Sequence, residues 1–120
     1  MYSIYFYKNA SGEEPVADYM LELAKKNDKD SKIKLRKLQE YLQVLATYGH
    51  SVGEPYVKKI REEIYELRPS GNRVFFVAWN GNCYVLLHVF QKKTQKTPKR
   101  EIEQAERELE DLKKRGVSYE

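Results

Sequence analysis

The chain reads as one α/β domain of the α+β kind, spanning residues 1–120. It has an antiparallel sheet of about four strands, two helices near the N-terminus and one at the C-terminus. Three observations lead there. Apolar residues recur at helical spacing over 13–48, in short strand-like runs over 64–90, and at helical spacing again after 98. Asn80-Gly81 divides two strongly apolar runs and is the strongest short-range hairpin signal. Pro15 and Pro98 sit where helices begin, and Gly49 and Gly116 where they end.

Each element has its own reason. Tyr2–Tyr7 (YSIYFY) is aromatic-rich and reads as a strand, closed by the turn cluster Asn9–Gly12. Glu13–Lys26 reads as a helix whose apolar face is Val16, Tyr19, Met20 and Leu23. The polar segment Asn27–Ser31 supplies N-caps for a second helix over Lys32–Tyr48, with Leu35, Leu38, Leu42 and Leu45 on one face and Gly49 as its stop. His50–Pro55 is loop, and Val57–Glu62 is ambiguous. Ile64–Arg68 reads as a strand and Pro69–Asn72 as a turn. Arg73–Trp79 is apolar on both faces, as a central strand is, and Cys83–Phe90 is its hairpin partner. Gln91–Thr97 is a polar loop. Thr97 stands as N-cap and Pro98 as first residue of the last helix, whose stripe is Ile102, Ala105, Leu109 and Leu112. Glu103/Arg107, Glu110/Lys114 and Asp111/Arg115 form i,i+4 pairs on its surface. The turns pair the last three strands antiparallel; where the first strand joins is left open.

Charge narrows the function. The net charge is +4, but residues 31–100 hold 14 Lys/Arg against 5 Asp/Glu, while both ends are acidic. A basic middle attracts polyanions, of which phosphate backbones are the commonest. With 10 Tyr, 4 Phe and 1 Trp the chain is too aromatic to be disordered, and those rings are available to stack on bases. No apolar run is long enough to span a membrane, and the N-terminus lacks the features of a signal peptide. The single cysteine, Cys83, has no internal partner and fits a reduced, cytoplasmic setting.

Other chemistries drop out. His50, His88 and Cys83 lack ligand spacing, so no metal site is expected, and there is no phosphate-cradling Gly-Lys loop. Side-chain parity puts Cys83 and His88 on opposite strand faces, which excludes a Cys–His nucleophile pair. By the same parity Ile64, Glu66 and Arg68 share a face, as do Arg73, Phe75, Val77 and Trp79, and as do Tyr84, Leu86, His88 and Phe90. If Arg68, Arg73 and His88 face the same concavity, they meet the loop carrying Lys92, Lys93 and Lys96. Several cations around one phosphate stabilise a pentacovalent transition state. Lys99 and Arg100 in the first helical turn oppose the helix dipole, which an arriving phosphate would relieve. Arg68, Arg73, His88 and Lys93 are the candidate catalytic residues. Lys58, Lys92, Lys96, Lys99 and Tyr84 are the candidate substrate contacts.

The blocks YELR, RVFF, LLHVFQKKTQKTP and EIEQAERELED, in this order over residues 55–115, resemble the HigB-type toxins of bacterial toxin–antitoxin modules. These lie within the RelE/ParE superfamily, with close kin among phage-derived Gp49-like proteins. The resemblance implies a RelE-like fold, a twisted antiparallel sheet with two N-terminal helices on one side. It implies a metal- and cofactor-independent, ribosome-dependent mRNA endoribonuclease that inhibits translation and growth. It also implies a helix-turn-helix, HigA-like antitoxin, and a toxin–antitoxin complex that binds its own operator DNA. By position, Arg73 matches a strand arginine that contacts the scissile phosphate, and Arg68 the arginine of the preceding strand. Lys92 and Lys93 fall in the basic segment after the last strand, and His88 matches a histidine suited to carry a proton. Glu66 departs from the pattern, standing where some relatives carry a basic catalytic residue. Asn72 departs too, replacing an aromatic. Two rival readings are an RNA- or ribosome-binding module without cleavage and a ParE-like gyrase poison.

Overall fold

A five-stranded sheet divides the molecule, in the order β1-β5-β4-β3-β2. The computed structural model describes residues 1–117. The strands are β1 (Ser3–Phe6), β2 (Val57–Lys59), β3 (Tyr65–Leu67), β4 (Asn72–Trp79) and β5 (Cys83–Gln91). The helices are α1 (Pro15–Lys25), α2 (Lys29–Tyr48) and α3 (Lys99–Arg115). The α+β class holds, but the sheet has one strand more than expected and is mixed. The ambiguous Val57–Glu62 segment supplies β2, which pairs antiparallel to β3. β1 returns to the far edge and pairs parallel to β5, with Ser3 opposite Cys83 and Phe6 opposite Leu86. Parallel pairing needs a crossover, and the α1–α2 hairpin lies in the connection between β1 and the rest of the sheet.

The sheet has an apolar layer on each face. Val16, Leu38 and Leu45 of α1 and α2 pack on Val57, Leu67, Val74, Phe76, Tyr84 and Leu86. Ile102, Ala105, Leu109 and Leu112 of α3 pack on Ile64, Phe75, Val77, Val85 and Leu87. This is why β4 and β5 are apolar throughout: both faces are covered. Asp28 caps α2 by accepting from the Ser31 backbone at 2.9 Å, so α2 begins three residues before the expected Lys32. The β4–β5 turn places Asn80 at φ 53° and Gly81 at φ 82°, which is why Asn-Gly stands there. At the far end of α3 the Tyr7 hydroxyl donates to Asp111 Oδ2 at 2.5 Å, and Arg115 pairs with the same carboxylate. Lys114 pairs with Glu110, whereas Arg107 turns to Gln104 rather than Glu103.

Strand parity fails at one point. Phe75 pairs with His88 but Phe76 pairs with Leu86, so Leu87 is an extra residue on β5. This bulge turns Leu87 and His88 to the same side, toward α3. Tyr84 and Leu86 keep the opposite face. The expected set Tyr84, Leu86, His88 and Phe90 is therefore split. The parity argument that separated Cys83 from His88 fails for the same reason. The two are kept apart by length along the strand and by their partners, the Trp79 carbonyl for Cys83 and α3 for His88.

Candidate functional site

The cations converge at the end of the sheet where the β3–β4 turn meets the end of β5. Ser70 has φ 56° in that turn, and Asn72 N–H donates to Pro69 O at 3.1 Å. Gly71 O then accepts from Lys92 N–H at 2.8 Å, holding the start of the lysine loop against the turn. Arg68 N–H donates to Tyr56 O at 3.0 Å, which fixes the β3 side. The result is a cavity of about 550 Å³ lined by Arg68, Arg73, Lys92, Lys93, Thr94 and Gln95. Its lining carries four cations and no carboxylate.

Glu66 lies behind them, with no solvent exposure. Its Oε1 is 3.6 Å from Arg68 Nε and 3.8 Å from Arg73 Nε, and its Oε2 accepts from Thr97 Oγ1 at 3.1 Å. Oε1 and both Nε atoms are buried and lack a hydrogen-bond partner within the chain. Such groups are close enough to attract but not to hydrogen-bond, which leaves directed capacity unused. Arg73 is held in place by its Nη1, which donates to Ser70 O at 2.6 Å and Asn72 O at 2.7 Å. Arg68 Nη1 donates to Glu54 at 3.2 Å. Burial pulls the Arg73 guanidinium below its ordinary value, with Glu66 opposing and Arg68 adding to the fall. Lys92 is also lowered, first by burial, then by Arg73, Arg68 and Lys58, with Glu66 opposing. A cluster with too few anions disfavours its own charge, and an incoming phosphate would restore the balance.

The expected residues divide. Arg68, Arg73, Lys92 and Lys93 line one cavity, and Lys58 sits across from Glu66 on β2, within electrostatic range of Lys92. Lys96 and Lys99 are exposed and outside its lining, and Arg100 pairs with Glu101 at 3.5 Å. Glu101 in the first turn of α3 already answers the helix dipole. Thr97 is not the N-cap; its hydroxyl goes to Glu66 and Pro98 takes the cap position without a side-chain bond.

Two corrections matter most. Tyr84 is 2% exposed, and its hydroxyl accepts from His50 N–H at 2.8 Å on the α1–α2 face, so no base can stack on it. His88 does not face the concavity. Its Nε2 is bonded to Glu101 Oε1 at 2.6 Å and its Nδ1 is 3.9 Å from Glu108 Oε1. It shares a cross-strand row with Glu66, but the Phe75 ring stands between them. Both misplacements come from one bulged residue and one sheet face that periodicity does not reveal.

A second cavity, about 370 Å³ between residues 61–64 and α3, is lined by four glutamates and two cations, Arg61 and Lys113, which already pair with Glu106 and Glu63. Among the described residues no group of His, Cys, Asp and Glu could hold a metal ion, and no helix is long and apolar enough to cross a membrane.

The sequence that builds this fold and cavity matches one family model. The family model "Phage derived protein Gp49-like (DUF891)" matches residues 18–110. The chain belongs to this family, which falls in the RelE/HigB-like group of toxin–antitoxin proteins. No curated protein matches the chain significantly.

Proposed function

We propose that this protein is a HigB-type toxin that cleaves mRNA on the ribosome. The observation that carries the reading is the cavity lined by Arg68, Arg73, Lys92 and Lys93, with two guanidinium Nε atoms buried beside Glu66 and unbonded. The reaction is in-line attack of an RNA 2′-OH on its own 3′ phosphate. A 2′,3′-cyclic phosphate forms and the 5′-oxygen leaves. Arg73, Arg68 and Lys93 stabilise charge on the phosphoryl oxygens. Lys92, whose proton is loosened by burial and neighbouring cations, is better suited than His88 to protonate the leaving oxygen. Glu66 stands behind the lining and holds both arginines, and the 2′-OH proton passes to water in the cavity. Lys58 extends the cationic surface toward β2. The same reading makes the protein cytoplasmic, where ribosomes are, and neutralised by a helix-turn-helix, HigA-like antitoxin with which it binds operator DNA.

The test uses purified protein, translating ribosomes and a defined mRNA, with cut sites mapped by primer extension. Wild type should cut, and Arg73→Ala should cut about 100-fold more slowly or worse. Full cleavage by Arg73→Ala would remove Arg73 from the site. No cleavage by wild type would sink the nuclease reading and leave a binding module or a gyrase poison.

A further inference from the structure

Several tyrosine hydroxyls are committed to other side chains, among them Tyr7 to Asp111, Tyr19 to Asn72 and Tyr84 to His50. Tyr41 and Tyr56 differ. Their rings meet edge to face, with centroids 5.0 Å apart and an interplanar angle of 60°. Both are half-buried and pack at the edge of the apolar layer under α1 and α2. No hydrogen bond ties either hydroxyl to another described side chain.

The pair also lies at the cationic end of the sheet. Tyr56 O accepts the Arg68 backbone N–H at 3.0 Å, so Tyr56 is the cross-strand neighbour of a cavity arginine. The Tyr41 hydroxyl is close enough to act on the ionisation of the Arg73 guanidinium. An aromatic ledge beside a multi-cation phosphate site is the arrangement that single-stranded nucleic acid requires, since the backbone takes the charges and an unstacked base takes the ring.

We propose that Tyr41 and Tyr56 form a nucleobase subsite, on which a base of single-stranded RNA stacks while its adjoining phosphate enters the Arg68–Arg73 cavity. This rests on the cavity being a phosphate site, as proposed above. The contact reads a π-face and not a base edge, so it is tolerant of sequence. It adds affinity and sets the strand's direction across the end of the sheet.

The experiment measures binding of a fluorescein-labelled RNA hexamer, 2′-O-methylated so that it cannot be cut, by anisotropy across a salt series. The variants are Tyr41→Leu/Tyr56→Leu, Tyr41→Phe/Tyr56→Phe and Arg73→Ala. The Leu pair keeps apolar packing without a ring and should bind about tenfold more weakly, with the salt slope of wild type. The Phe pair should bind as wild type does. Arg73→Ala should weaken binding and flatten the slope by about one. A hexamer lacking its central bases should bind wild type as weakly as the intact hexamer binds the Leu pair. If the Leu pair binds like wild type while Arg73→Ala is weakened, the subsite is wrong and the phosphate site stands. If wild type binds neither hexamer, the phosphate site and the subsite fall together.

Discussion

Two glutamates are buried on the α3 side of the sheet, and they sit in opposite electrostatic settings. Glu66 is fully enclosed but lies within 4 Å of two guanidinium groups and accepts a hydroxyl bond. Glu108 is 6% exposed, and its nearest cation-capable neighbour is His88, at 3.9 Å, with Oε1 unbonded. Burial therefore pushes Glu108 up to about 7, with Glu101 adding to the rise and Gln104 and Arg107 opposing it. The first glutamate is needed by its neighbours, since without it Arg73 has no carboxylate beside it and Arg68 keeps only the exposed Glu54. The second is tolerated by its neighbours and is easier to keep as a neutral acid. Degree of burial alone does not say which role a carboxylate has; the cations around it decide.

The largest effect that would break this contrast is at Glu66. Glu66→Ala should cost about 3 kcal/mol in urea unfolding, because removing one partner of a buried ion cluster leaves the others uncompensated. Inorganic phosphate should recover part of that loss, and stabilise the variant more than wild type, by filling the vacated charge position. A loss below about 1 kcal/mol, or no response to phosphate, would mean that water already serves both arginines.

At Glu108 the sign depends on pH. Its native value of about 7 lies above the ordinary 4.5, so the native state binds more protons than the unfolded state between those values. The stability contributed by the neutral form is present below about 4.5 and is lost as pH rises through 7. The groups around it include His88 from β5, Tyr7 after β1, and Glu101, Gln104 and Arg107 along α3. Glu108→Gln should be more stable than wild type at pH 8 by on the order of 2–3 kcal/mol, with the gap closing to a few tenths near pH 4.5. A gap that is equal at both pH values would show that Glu108 is ionised throughout that range in the native state and that the contrast with Glu66 is only one of degree.

The sequence carried the helices, the β4–β5 hairpin and the cationic cluster. Helical periodicity marked the stripe of α3, Asn-Gly marked the turn, and the basic residues flanking β4 and β5 marked the cavity. Three features were not legible. β2 is only three residues long, with two lysines pointing to solvent at a sheet edge, and such a strand has little apolar pattern to show. The Leu87 bulge shifts every later side chain of β5 by one face, and nothing in the apolar run CYVLLHVF announces an extra residue. That one residue moved His88 out of the site. Glu66 looked like a departure because local sequence shows only that a carboxylate replaces a cation. It does not show that Arg68, Arg73 and Thr97 converge on it. Tyr41 was hidden because a tyrosine on an apolar helix reads as core, and Tyr56 because it stands in the turn before the short β2.

Thr97 offers the smallest effect and the sharpest separation between the two ways of reading the chain. By position it is the N-cap of α3, and Asp is among the best N-caps, so Thr97→Asp should then be neutral or stabilising. The structure instead gives its hydroxyl to Glu66 Oε2 at 3.1 Å, where an aspartate would meet a buried carboxylate. Thr97→Val should cost about 1 kcal/mol by deleting one bond to a charged acceptor. Thr97→Ser should keep that bond, and Thr97→Asp should be less stable than Thr97→Val. Denaturation midpoints of the three variants order them directly. If Asp ranks above Val, the hydroxyl serves the helix end and not Glu66. Glu66 would then depend on its two arginines alone, and α3 would be joined to the site only through packing.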